Sequence, residues 1–100
     1  MVKLDDVTYF FTEHKLVFLV DKDNKKFLTE CKNLTELTEM IDKKIFYRAN
    51  RKYVINVNFI KRFKPLDKVK ISVELILELP EEIVISQENA ADFKNWIQKQ

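Results

Sequence analysis

Glycine is absent from this chain of 100 residues, and that absence removes whole classes of chemistry. A phosphate-cradling P-loop and a dinucleotide fingerprint both need Gly backbone that phosphate approaches closely, so neither exists here. A helix–turn–helix with a glycine turn is missing for the same reason. Hairpins have to turn on Asp, Asn and Lys, as in Asp21-Lys22-Asp23-Asn24-Lys25, where Asn tolerates left-handed geometry. Cys31 stands alone, so no internal disulfide forms; it reads as a packed or half-exposed side chain, compatible with the cytoplasm. His14 is the only histidine, too few for a site in which several His, Cys or carboxylates converge on a metal. No apolar run approaches the roughly 20 residues that span a bilayer, so no membrane partner is expected. The start, Met1-Val2-Lys3-Leu4-Asp5-Asp6, lacks the apolar centre of a secretory signal.

Catalytic readings fail on the same scarcity. His14 and Cys31 lie outside any nucleophile motif. Ser72 alternates with strand residues, Ser86 is placed to cap a helix, and the adjacent Glu81 and Glu82 point to opposite faces of a strand or into a solvated turn. The chain reads as a non-enzyme that needs no cofactor.

What is present is a core. Apolar residues make up 46% of the chain and twelve residues are aromatic, enough for one domain spanning 1–100. A chain of this length buries roughly 60–70% of its unfolded surface. Val7 to Phe11, Leu16 to Val20 and Lys26 to Cys31 read as strands, the last after the Asp/Asn turn. Asn33 is an N-cap with Glu36 three residues later, and Leu34, Leu37, Met40 and Ile41 recur at helical spacing. Strands follow around Phe46–Arg48, Tyr53–Asn56 and Ile60–Lys64, with Pro65 marking a bend. Val69, Ile71 and Val73 alternate with Lys70 and Ser72, a parity that Leu75, Leu77 and Leu79 continue. After Pro80, Ile83 to Ile85 is the last strand, and Ser86 caps a helix striped by Ala90, Phe93, Trp96 and Ile97. The fold class is mainly β with two helices (α+β).

Charge is distributed unevenly. Residues 1–45 carry eight Lys/Arg against nine Asp/Glu, and residues 74–100 carry two against six. Residues 46–73 carry eight cations against Asp67 alone. A basic centre in a chain of net charge +2 is the footprint of a polyanion-binding face, because local potential governs encounter more than net charge does. Lys68 and Lys70 also fit simple alternation along a strand. Within the basic centre, Arg48, Arg51 and Lys52 are threaded with Asn50 between aromatic and β-branched residues. Arg and Asn make bidentate pairs with guanine and adenine edges, and Lys and Arg neutralise phosphate. The bland alternative is a solvated loop between two strands.

Phe46-Tyr47-Arg48-Ala49-Asn50-Arg51-Lys52-Tyr53-Val54-Ile55-Asn56 resembles the central motif of LytTR-type DNA-binding domains. Such domains are the C-terminal output modules of many bacterial response regulators. An aromatic pair, an Arg, a short polar loop, a hydrophobic triplet and Asn are followed by a later Ile-Lys pair, here Ile60-Lys61. Asp5-Asp6-Val7-Thr8-Tyr9-Phe10 resembles the family's opening strand, Leu34-Thr35-Glu36-Leu37 its helix, and Ile85-Ser86-Gln87 with Phe93 and Trp96 its closing strand–helix block. The match runs in order along nearly the whole chain.

The resemblance implies an elongated antiparallel β-sheet domain that reads duplex DNA with loops, not with a recognition helix. Three places would make the contacts: His14 and Lys15; Arg48, Asn50, Arg51 and Lys52; and Gln87 and Asn89 at the start of the last helix. On sequence alone a lone loop His beside Lys15 is most often just exposed. Asn50-Arg51 stands where many members carry His followed by Asn or a small polar residue, and Gln87-Glu88 stands where Arg is common. Glu88 suits a helix N-terminus but repels phosphate, or it accepts from a cytosine amino group.

The expected function is sequence-specific binding of double-stranded DNA as the output of a two-component transcriptional regulator. Two copies would sit on a direct repeat or imperfect palindrome as a homodimer. The chain starts almost at its first strand, so an N-terminal receiver domain is expected elsewhere in a longer protein. The competing function is a non-catalytic protein-interaction module that uses exposed sheet edges.

Overall fold

A two-residue hairpin loop of type I′ needs left-handed backbone at both central positions, and here non-glycine residues supply it. In the computed structural model, which describes residues 2–100, His14 and Lys15 have φ of 52° and 65°. They join β1 (Val7–Glu13) to β2 (Leu16–Asp21). Of the N-terminal stretch that lacks a signal core, Met1 lies outside the described residues. The Asp/Asn turn forms as expected: Asn24 has φ 63°, and Asp21 Oδ1 accepts from the backbone N–H of Asp23 and Lys25, each at 2.9 Å.

β3 (Lys26–Leu28) stops three residues short of the expected Cys31. Thr29 donates both its hydroxyl and its backbone N–H to Val17 O, each at 2.9 Å, and its Oγ1 accepts from Cys31 N at 3.2 Å. The Thr29 N–H still follows the β2–β3 register, and the chain leaves the ladder where the Cys31 N–H turns back onto Thr29 Oγ1. Asn33 then caps α1 (Leu34–Met40), its Oδ1 accepting from Glu36 N at 2.8 Å. Leu34 and Leu37 are buried, but Met40 is 69% exposed and does not join the apolar stripe. It is the last residue of a seven-residue helix, and its sulfur lies 3.9 Å from Cys31 Sγ.

β4 (Phe46–Arg48) and β5 (Tyr53–Asn56) complete a five-stranded antiparallel sheet ordered β3-β2-β1-β5-β4. Asn56 at its far end is fully buried; its Nδ2 donates to Val7 O at 2.8 Å and its Oδ1 accepts from Asn58 N. A second antiparallel sheet holds β6 (Ile60–Leu66), β7 (Lys70–Leu75) and β8 (Ile83–Ile85), in that order. β6 runs through Pro65 instead of bending there. It is an edge strand, where Pro is tolerated because alternate N–H positions face away from the ladder. The alternation of β7 ends at Leu75; Ile76 is exposed, while Leu77 and Leu79 pack on the core from outside the strand.

The five-stranded sheet is the middle of three layers. A register irregularity between Val7 and Tyr9 in β1 lets Val7 and Phe10 face α1, together with Val17, Phe46 and Val54. Tyr9, Val20, Tyr53 and Ile55 face the other way. They pack on Ile71, Val73, Leu75, Ile83 and Ile85 of the smaller sheet and on Phe93 of α2 (Gln87–Gln98). The expected stripe of α2 holds, with Phe93 buried and Ala90, Trp96 and Ile97 partly so. Ser86 occupies the N-cap position, but its side chain makes no capping bond; its Oγ accepts from Asn89 Nδ2 at 3.4 Å. The molecule extends 39 × 27 × 24 Å, the elongated antiparallel β architecture with two helices, divided into two sheets. No helix among the described residues is long and apolar enough to cross a membrane.

Candidate nucleic-acid interface

Antiparallel pairing decides which loops share an end. β1 runs beside β5 with Phe11 opposite Tyr53, and Thr12 N donates to Lys52 O at 3.1 Å. The β1–β2 turn and the β4–β5 loop therefore leave the large sheet from the same end. In the small sheet Ile71 pairs with Ile85, which places the start of β7 beside the end of β8 and the first turn of α2. Asn50 joins the two ends, its Nδ2 donating to Val84 O at 3.0 Å.

In and beside the β4–β5 loop the side chains divide into braces and one unpaired cation. Asn50 Oδ1 also accepts from Lys52 N at 2.8 Å and from Tyr53 N at 3.0 Å, so both ends of its amide are engaged internally. Arg48 donates from Nη1 to Thr35 Oγ1 at 2.9 Å and from Nε to Asn50 O at 3.3 Å, tying α1 to the loop. Lys52 pairs with Glu81. Arg51 is exposed, with no hydrogen-bond or ion-pair partner among the described residues.

Two tyrosines pin the flanks. Tyr47 donates its hydroxyl to Asp92 Oδ2 and Tyr53 donates to Glu81 Oε1, both at 2.8 Å. Burial first, and then those carboxylates, hold both phenols protonated well above the ordinary tyrosine range. Trp96 Nε1 donates to Lys43 O at 2.8 Å, closing the seam between α2 and the chain before β4.

Between the loop and α2 lies an open groove of about 950 Å³. Arg48, Asn50 and Arg51 line it from one side and Glu88, Asn89 and Asp92 from the other. The structure thus brings together two of the three expected contact places. Gln87 is exposed at the start of α2 but does not line the groove, and Lys52 faces Glu81. His14 and Lys15 are exposed at the tip of the neighbouring hairpin, outside the groove but at the same end of the sheet.

Sequence reasoning missed Lys70, which lines the groove beside Arg51, together with Lys43 and Lys99. Only the excess of cations in residues 46–73 signalled Lys70. Strand parity could not tell which sheet end it occupies. No group of three or more His, Cys, Asp or Glu among the described residues is arranged to hold a metal.

The comparisons agree with this geometry. No curated protein matches the chain. Among solved structures it is similar to the LytTr DNA-binding domain of a putative methyl-accepting/DNA response regulator from Bacillus cereus. That similarity has a TM-score of 0.81 and 22% identity, and covers 96% of this chain and 84% of that one. At this identity the likeness establishes the fold. The family model of the LytTr DNA-binding domain matches residues 1–98, and the chain belongs to the LytTR family of DNA-binding domains.

Proposed function

We propose that the domain binds double-stranded DNA sequence-specifically by inserting loops, as the output module of a bacterial two-component transcriptional regulator in the cytoplasm. The observation that carries this reading is the braced β4–β5 loop, which presents an unpaired Arg51 at the end of the sheet where His14 and Lys15 also project. A guanidinium on a fixed loop suits bidentate pairing with guanine, and the hairpin tip suits a neighbouring groove or backbone. Groove cations Arg48 and Lys70, with Lys15 outside it, are placed to neutralise phosphate. Asn89 offers an amide from the first turn of α2. An N-terminal receiver domain in a longer protein would make the output signal-dependent, as the Bacillus cereus protein's description as a response regulator suggests.

Two copies are expected on each target, a direct repeat or imperfect palindrome. A single module covers roughly 600–1,000 Å², too little for high specificity alone. Selection from random duplexes, followed by titration of the selected site at several salt concentrations, tests the reading. If ~4–6 phosphates are neutralised, log K against log salt falls with a slope of about −4 to −5. Sedimentation of the complex should give two domains per duplex. Absence of binding at low salt, or a flat salt response, would refute the DNA reading in favour of a protein partner at the sheet edges.

A further inference from the structure

Lys52 is held differently from the other cations of its loop. Its backbone is fixed on both sides: N–H donates to Asn50 Oδ1 at 2.8 Å, and C=O accepts from Thr12 N at 3.1 Å. Only the side chain is left with a choice. Its Nζ pairs with Glu81 Oε1, 5.6 Å from the centre of the Tyr53 ring, and the same carboxylate oxygen accepts from Tyr53 OH. Glu81 comes from the acidic final segment of the chain, so this contact carries negative charge to the edge of a basic loop. The pair is open to solvent, with side chains 42% and 47% exposed. An exposed pair holds its partners by only about two- to fivefold, weak enough to yield to a phosphate.

We propose that Glu81 is an internal competitor for DNA phosphate. It holds Lys52 in the free domain and releases it when the β4–β5 loop seats on a duplex, so affinity for DNA of any sequence is set below what the loop's cations alone would give. This inference rests on the DNA-binding reading. It makes Glu81 a tuning residue that touches no base, and it places Lys52 among the phosphate contacts only after an exchange. The Tyr53 hydroxyl keeps Glu81 in place for re-capture when the duplex leaves.

The test compares Glu81→Gln with Glu82→Gln, which removes the same charge one residue away, where no ion pair exists among the described residues. Gln retains the oxygen that accepts from Tyr53, and thermal unfolding verifies that each variant is folded. Fluorescence anisotropy on a selected duplex and a scrambled one should show Glu81→Gln binding both about two- to fivefold tighter. Glu82→Gln should gain clearly less, and the Glu81→Gln gain should shrink in a Lys52→Ala background. Equal gains from the two glutamates, a gain that persists without Lys52, or weaker binding by Glu81→Gln each overturn the competitor role while leaving DNA binding intact. Failure of the unaltered domain to bind any duplex removes the DNA reading, and this inference with it.

Discussion

Replacing Asn50 by Ala tests whether this loop residue is a brace or a reader. Its side chain accepts from Lys52 N and Tyr53 N and donates to Val84 O, at 2.8, 3.0 and 3.0 Å, in a half-buried position. Each such bond contributes a net ~0.5–1.5 kcal/mol, and a buried group left without a partner costs ~1–3 kcal/mol. Water reaches part of the loop and offsets some of that loss, so the substitution should destabilise the domain by about 2–3 kcal/mol. For a domain of this size, roughly 4–8 °C of melting temperature goes with each kcal/mol, a fall of about 10–20 °C. Circular dichroism melts and urea titrations read this directly. Asn50→Asp keeps the acceptor but loses the donor to Val84 O and sets a carboxylate against that carbonyl, so it isolates the contact between the sheets. On DNA, Asn50→Ala should weaken binding and relax the same base preference that Arg51→Ala relaxes, because a loosened loop no longer aims Arg51. An unchanged melting temperature with preference lost at a base pair other than the one Arg51→Ala affects would refute the argument and make Asn50 a base contact.

Other outcomes follow from the same geometry. Arg51→Ala should relax preference at a particular base pair, costing about 1–3 kcal/mol of discrimination, and mismatch titrations measure it. Lys70→Ala should weaken all sequences similarly and reduce the magnitude of the salt slope by about 0.9, whereas an unchanged slope would remove Lys70 from the interface. Tyr47 and Tyr53 are held protonated by burial and by Asp92 and Glu81, above the ordinary value of 10.0. Their stabilisation is therefore intact below pH 10 and lost as pH rises further, because the unfolded chain releases those protons first. Urea titrations of the protein and of Tyr47→Phe should converge with increasing alkalinity, and a constant gap would contradict this.

Most of the fold was legible because its signals are local. Two-residue alternation marked Ile71 and Val73, helical spacing marked Phe93, Trp96 and Ile97, and Asn33 with Glu36 marked the first helix. The misses lie where an element ends or meets an edge, which periodicity does not mark. Pro65 reads as a bend until β6 is known to be an edge strand. β3 ends early because the Cys31 N–H turns back onto Thr29 Oγ1, and the parity of Leu75 to Leu79 continues after the strand has ended. Met40 fits the periodicity of a helix that stops before it can be covered.

The candidate loop was legible as a polar segment, but the bonds made within it were not. Composition put Arg48, Asn50, Arg51 and Lys52 together in one polar stretch, and the structure places Arg48 at the end of β4 and the other three in the loop that follows. Their roles depend on groups 13 to 34 residues away: Thr35 for Arg48, Val84 for Asn50 and Glu81 for Lys52. No local pattern encodes those partners. Once three of the four are tied down, Arg51 is distinguished by elimination on a frame that the other three hold still. A flexible guanidinium would give up conformational entropy on seating in a groove, whereas one carried by a braced loop gives up less. On the proposed DNA reading, the internal bonds of Arg48 and Asn50 would therefore serve recognition even where those side chains meet no base.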